Sequence, residues 1–303
     1  MTSILKPKAK IAVLGAGQMG SGIATLLADA GHAVALWDLF PAVATGVAEA
    51  YGSNSNKAGN GSVTAHDELE STVSSADVVL EAIAEDLDAK QRVFTAVSRS
   101  APATAIITSN TSSLPAAQLV PYVTNPGRFA IAHFFNPPRI VPLVELVPVE
   151  NASGTTHPLV LDTLFDILAS AGKTPVILKS AVPGFVANRL QAALLREAFA
   201  LVEDGVASFQ DIDTVVRAGL GARWAAAGPM MVTDLGGLDI WQAVTTQLFP
   251  SLCSAATPPK AITERVARGE LGAKTGSGLY VHNKEEDDEA RARISAHFEL
   301  DRE

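Results

Sequence analysis

Residues 129–147 read FAIAHFFNPPRIVPLVELV, two apolar runs that each carry one ionisable side chain, His133 in the first and Glu145 in the second. Both runs are short, rich in Phe, Ile and Val, and bounded by prolines, so they read as strands. A carboxylate inside a buried run is costly unless it is paired. His133 is the partner in reach if NPPRIVP folds the second strand back beside the first. An imidazole held in that way keeps one tautomer and gains basicity, which is what a general base requires. The other reading is two unrelated polar residues at strand ends, and this stretch alone leaves both open.

A second constellation stands where KIAVLG runs into GAGQMG and then into the helical pattern SGIATLLADAG. The G-x-G-x-x-G spacing has a mechanical meaning: Gly15 makes the tight turn, Gly17 lets a pyrophosphate approach the backbone, and Gly20 lets the helix pack on the strand. The helix start, with Gln18 and Met19, then faces the phosphates. The next strand ends in Asp38, whose carboxylate can accept hydrogen bonds from adenosine ribose hydroxyls and repel a 2′-phosphate. Strand, glycine turn, helix and acid together read as a site for NAD in preference to NADP. The plainer reading of Asp38 is a cap for the following turn.

These residues need a frame. From Lys10 to about Leu178 the β-type runs KIAVLG, AVALWD, ADVVLEAI, TAIITSN, FAIAHFF, LVELVPV and TPVIL alternate with helical patterns. Such alternation predicts an α/β fold, a doubly wound sheet with helices on both faces that ends in one or more antiparallel strands. Ligands of open α/β sheets bind beyond the carboxyl ends of the strands. The loops after the later strands therefore line the same cleft: AIAED with Glu85 and, a helical turn on, Lys90; SNTSS with Asn110, Ser112 and Ser113; HFFNPP with His133 and Asn136. Singly, each could be a helix-start acid, a cap or a turn residue; their shared location favours the cleft.

After VPGFVANRL the character changes to Ala- and Leu-rich helical stretches such as NRLQAALLREAFALVEDG, with Gly205 as a stop. The next strand expected is GLYVH, near the C-terminus. The domain boundary is placed near Pro183, giving domains 1–182 and 183–303. The helical half carries enough apolar surface to imply a partner subunit, and KEEDDEARAR reads as a solvated helix.

The whole chain has 303 residues, 48% hydrophobic and 18% charged, which suits two packed domains. A net charge of −9 argues against nucleic acid as partner. Cys253 is the one cysteine, which excludes an internal disulfide and a thiolate metal cluster and fits a reducing compartment. No apolar run is long enough to span a bilayer, and MTSILKPKAK lacks the apolar stretch of a signal peptide. A cytoplasmic protein with no membrane, nucleic-acid or metal partner is expected.

Through GAGQMG, SNTSSLP, HFFNPP, VELVP, PGFVANRL, GPMMVTDLGGLD and KTGSGLY the sequence resembles the L-3-hydroxyacyl-CoA dehydrogenase family over nearly its whole length. The resemblance implies a Rossmann-type NAD-binding domain followed by an all-helical dimerisation domain, and a homodimer. It implies that His133 is the catalytic base, that Glu145 orients it, and that Ser112 and Asn188 contact the substrate oxygen. Gly15, Gly17, Gln18, Met19, Gly20, Asp38, Glu85, Lys90, Asn110 and Asn136 fall on the cofactor side. The reaction implied is NAD-dependent oxidation of the secondary alcohol of a 3-hydroxyacyl-CoA of the 3-hydroxybutyryl type.

Two departures keep other substrates open. Between Asp38 and Glu81 the family's usual form carries a long, lysine-rich helical hairpin that helps bind coenzyme A, whereas this chain has GVAEAYGSNSNKAGNGSVTAHDE with the single lysine Lys57. Arg223 and Trp224 resemble relatives acting on free hydroxy acids such as gulonate or carnitine, and Arg139 offers a further carboxylate partner. Some relatives with a similarly short segment oxidise aromatic or heterocyclic alcohols and aldehydes. The decarboxylating β-hydroxyacid dehydrogenases place a lysine base where this chain has Asn188, which disfavours that class. Intact His133, Glu145, Ser112 and Asn188 disfavour a non-catalytic nucleotide-binding protein.

Overall fold

Strands and helices alternate through the first half of the chain because its apolar runs are just long enough to cross a sheet and its Gly, Pro and Asp residues interrupt them. The computed structural model describes residues 8–53, 60–151 and 154–300. They form two compact units, one running to Phe185 and taking in the residues from Ser295 on, the other Val186–Ile294.

The first unit runs β1 (Lys10–Leu14), α1 (Gln18–Asp29), β2 (Ala33–Trp37), α2 (Pro41–Ser53), β3 (Ser62–His66), α3 (Leu69–Val73), β4 (Val78–Glu81), α4 (Leu87–Ser100), β5 (Ile106–Ser109), β6 (Phe129–Phe134), β7 (Leu143–Pro148), the short pair β8 (Glu150–Asn151) and β9 (Gly154–Thr155), α5 (Pro158–Ser170) and β10 (Thr174–Ile177). Eight strands form one sheet in the order β10-β7-β6-β5-β4-β1-β2-β3. All neighbours are parallel except β6 and β7, so β7 and β10 oppose the rest. The antiparallel ending expected from the sequence is present.

Alternation along each strand builds two cores. Ile11 and Val13 of β1 join Val34, Leu36, Val78 and Leu80 under α1, α2 and α5. Ala12 and Leu14 join Val79, Ile107, Phe129 and Ile131 under α3 and α4. A strand buried on both faces has to read as a continuous apolar run, which is why these strands were legible. β3 was not expected: SVTAH is an edge strand with exposed and half-buried positions only, and carries no apolar signature. Lys57 lies outside the described residues.

The second unit is helical. It contains α6 (Ala187–Glu203), α7 (Phe209–Val215), α8 (Ala222–Leu235), α9 (Leu238–Leu248), α10 (Lys260–Ala267) and the start of α11 (Lys284–Leu300), the solvated helix expected from KEEDDEARAR. Gly205, expected from the sequence as a helix stop, follows the end of α6 at φ +71, in the left-handed region. The strand expected at GLYVH is absent among the described residues. Only the isolated bridges Gly272–Ser277 and Ser277–Val281 form there, because Gly272 and Gly276 adopt positive φ and fold the segment into turns. Among the described residues, no helix is long and apolar enough to cross a membrane.

Candidate active site

The parallel register aligns Leu14, Trp37, Glu81 and Ser109 across the sheet, so the loops that follow them open at one edge. The first is the glycine turn. Gly15 sits at φ +99, and a Cβ there would lie 2.6 Å from the Ala82 carbonyl oxygen. A Cβ on Gly20 would lie 1.8 Å from the Gly15 carbonyl oxygen, so α1 packs on the turn as closely as backbone allows. A Cβ on Gly17 would meet nothing within 4 Å. Gly17 is also the N-cap of α1 and offers no capping side chain, whereas Asp86 caps α4 and His157 caps α5. Gln18 and Met19 therefore begin a helix whose first-turn N–H groups are left for an anion. Asp38 Oδ2 accepts from Ala16 N at 2.7 Å and Oδ1 accepts from Phe40 N at 2.9 Å. The carboxylate caps its own turn, as the plainer reading held, and is also tied to the glycine turn.

The loops after β4 and β5 are joined by carboxylates. Glu81 is fully buried; Oε1 receives Lys90 Nζ at 2.6 Å and Ile83 N at 2.8 Å, and Oε2 receives the Ser109 hydroxyl at 2.5 Å. Burial pushes its carboxyl up, against the opposing pull of Lys90, Ser109 and Ile83. Lys90, expected on the cofactor side, is itself buried and reaches outward through Glu85 Oε2 at 3.3 Å. Glu85 Oε1 accepts from Thr111 Oγ1 (2.5 Å), Ser112 N (3.0 Å), Ser113 N (3.1 Å) and Ser113 Oγ (3.0 Å). Partial burial pushes the Glu85 carboxyl up, but the Thr111 hydroxyl, the Lys90 charge and the Ser113 and Ser112 amides prevail and hold it at about 2. Asn110 Oδ1 accepts from Phe134 N at 2.8 Å, tying this loop to β6.

On β6, His133 stands directly opposite Glu145 of β7. It is two residues beyond Ile131 and so shares that residue's face of the sheet. His133 Nδ1 lies 2.9 Å from Glu145 Oε2, both side chains being buried. A carboxylate can only accept, so Nδ1 carries the proton and Nε2 keeps its lone pair. The ring is packed by Phe135 and Phe185, at centroid distances of 4.5 Å and 5.4 Å. Phe185 sits at φ +47, a strained position for an aromatic residue. Between the strands, Lys173 Nζ donates to the Pro138 and Val141 carbonyls and fastens the NPPRIVP corner. Asn136 is exposed at the start of that corner. Arg139, read from the sequence as a carboxylate partner, donates to Asp29 Oδ2 at 2.8 Å.

Ser112 and Ser113 line a pocket of about 190 Å³ with Leu114, Val149, Val182 and Phe185. Among the described residues no group of acidic, His and Cys side chains could hold a metal. Asn188 lies in the first turn of α6, in the second unit. Sequence reading missed Glu81, Ser109, Thr111 and Lys173. Glu81 carries the signal that exposed Glu145, an acid inside an apolar run, here ADVVLEAI.

Residues 10–181 match the family model described as 3-hydroxyacyl-CoA dehydrogenase, NAD binding domain, and residues 184–282 match 3-hydroxyacyl-CoA dehydrogenase, C-terminal domain. The chain belongs to the 3-hydroxyacyl-CoA dehydrogenase family. It is an NAD-dependent dehydrogenase acting on the hydroxyl groups of small molecules. Within the family it is 35% identical over 286 residues to 5-formyl-3-hydroxy-2-methylpyridine 4-carboxylate 5-dehydrogenase of Mesorhizobium japonicum, covering 91% of each chain. A crystal structure of a dehydrogenase of that specificity, described as an NAD+ dependent dismutase, superimposes with a TM-score of 0.86 at 32% identity, covering 96% of each chain. The chain is also 34% identical to the probable 3-hydroxybutyryl-CoA dehydrogenase of Bacillus subtilis, covering 91% of this chain and 98% of that one. It is 35% identical to the L-carnitine dehydrogenase of Streptomyces griseus, covering 82% and 76%. The uncapped start of α1, the open space at Gly17 and the Asp38 carboxylate fit the family's cofactor.

Glu85 predicts a pH dependence of stability. Its folded pKa of about 2 lies below the ordinary 4.5, so its contribution is present above 4.5 and is lost as pH falls toward 2. In urea titrations across that window, Glu85→Gln is expected to show a shallower acid decline than the wild type. Parallel declines contradict the assignment.

Proposed function

We propose that the chain oxidises an alcohol, or the hydrate of an aldehyde, on a small non-CoA substrate, with His133 as the general base. The observation that carries the reaction is the buried His133–Glu145 pair at 2.9 Å. Its Nε2 lone pair takes the hydroxyl proton while Glu145 stabilises the imidazolium that forms. An aldehyde hydrate presents the same O–H and C–H on one carbon, so the same base serves both substrates. Ser112, with its hydroxyl uncommitted among the described residues, orients the substrate oxygen. The resemblance gives Asn188 the same task. NAD, when bound, supplies the hydride acceptor. Gly15, Gly17, Gln18, Met19, Gly20 and Asp38 hold its adenosine and pyrophosphate end, and Glu85, Asn110 and Asn136 lie toward its other end, with Lys90 acting through Glu85.

Two features support a compact substrate. The pocket beside Ser112 is small and has no Lys or Arg in its lining, whereas the phosphates of coenzyme A need cationic partners. The relative that acts on a pyridine carboxylate covers 91% of this chain. The 3-hydroxyacyl-CoA reading is the second one, favoured by both family models and by the Bacillus subtilis relative. Measuring kcat/KM on a formylpyridine carboxylate, its alcohol, carnitine and 3-hydroxybutyryl-CoA separates the two. The ring substrates are expected to lead, and a lead for the CoA ester would establish the second reading. On the leading substrate, His133→Gln is expected to lower kcat by ~10²–10⁴ with NAD affinity unchanged; near-normal turnover would reject the base.

The second unit leaves Met230, Leu235, Leu238 and Phe249 exposed, an apolar surface that suits a second copy of the chain. The proposed assembly is a homodimer, and the proposed compartment is the cytoplasm. Sedimentation equilibrium at micromolar concentration is expected to give twice the chain's 31.5 kDa; a monomer would contradict the dimer.

A further inference from the structure

The geometry points to Glu81 as a positioning residue that sets the substrate loop through a buried charge relay. Glu81 is wholly buried. Its carboxylate holds the Lys90 ammonium at 2.6 Å, and that ammonium reaches Glu85 at 3.3 Å. Glu85 in turn holds the Ser112 and Ser113 amides and the Thr111 and Ser113 hydroxyls on one oxygen, Oε1. The order is therefore core acid, buried base, half-exposed acid, loop.

Each link constrains the next. Lys90 is buried, so its charge must be shared by the carboxylates within reach. While Glu81 takes the nearer share, Glu85 meets Lys90 with Oε2 and keeps Oε1 for the loop. Without the Glu81 charge, Lys90 has only Glu85 to pair with among the carboxylates of this network. It then draws that carboxylate off the Ser112 and Ser113 amides. Ser109 adds rigidity by donating to Glu81 from β5, the strand that launches the loop. The consequence for turnover rests on the proposed role of Ser112 at the substrate oxygen; the structural relay does not.

Two variants separate charge from shape. Glu81→Gln keeps the volume and hydrogen-bonding reach but loses the charge, whereas Glu81→Asp keeps the charge and leaves a methylene-sized gap. The relay predicts that Glu81→Gln exchanges the Ser112 and Ser113 amides about tenfold faster and loses about tenfold or more in kcat/KM, with Glu81→Asp nearer the wild type in both. A purely packing role predicts the reverse order, and that order, or a Gln variant equal to the wild type, overturns the proposal. If Glu81→Gln does not fold, Glu81→Gln/Lys90→Met removes both charges and carries the same exchange test. With Lys90 gone nothing draws Glu85 off the loop, so near-wild-type exchange in the pair supports the relay, and exchange about tenfold or more faster overturns it. Amide exchange is read by NMR without substrate, so it stands even if the wild type turns over none of the proposed substrates. Absence of turnover would instead reject the functional reading.

Discussion

A carboxylate taken out of water must be met by donors or a cation, and this constraint organises the first unit around three acids. Glu145 is met by His133, Glu81 by Lys90, Ser109 and Ile83, and Glu85 by Lys90 and the loop after β5. The bonds to Ser109 and to the loop after β5 join segments 26 to 28 residues apart at the edge of the sheet where its parallel strands end. The resulting scaffold is rigid where chemistry needs position. His133 has its tautomer set by β7, its ring held by Phe135 and Phe185, and its hairpin corner fastened by Lys173.

The antiparallel turn from β6 into β7 gives the site its character. In a wholly parallel sheet these neighbours would need a crossover connection between them. Folding back directly places a residue of one strand opposite a residue of the other, and a shift of register by one would put His133 and Glu145 on opposite faces. Such a slip of β7 would also carry Val147 out of the core it shares with Phe129 and Ile131, to the face of Val144 and Leu146. The strands that carry this geometry lie within residues 10–181, which match the 3-hydroxyacyl-CoA dehydrogenase NAD binding domain.

Much of this was legible in the sequence, for identifiable reasons. Seven strands announced themselves as apolar runs, six of them buried on one or both faces, and the glycine turn because only glycine tolerates φ +99 at Gly15 or the close approach at Gly20. His133 and Glu145 stood out as ionisable residues in apolar runs. β3 stayed hidden because an edge strand such as SVTAH needs no apolar pattern. GLYVH misled because two β-favouring residues sit among glycines that turn the chain. Arg139 was read outward, toward a ligand, while its partner Asp29 lies 110 positions away. Lys90 was placed on the cleft by its spacing from Glu85, yet its long side chain turns inward to an acid on the neighbouring strand. Long-range partners of this kind are set by packing, which one sequence does not print.

The central claim is that Glu145 fixes His133 with its proton on Nδ1 and its lone pair on Nε2. Nitrogen NMR of the His133 imidazole, recorded well above pH ~6.5 where free imidazole titrates, reads this directly. The account predicts a protonated Nδ1 and an unprotonated Nε2 in the wild type, with the preference lost in Glu145→Ala. A wild-type ring protonated on Nε2, or one whose tautomer is indifferent to Glu145, would contradict it.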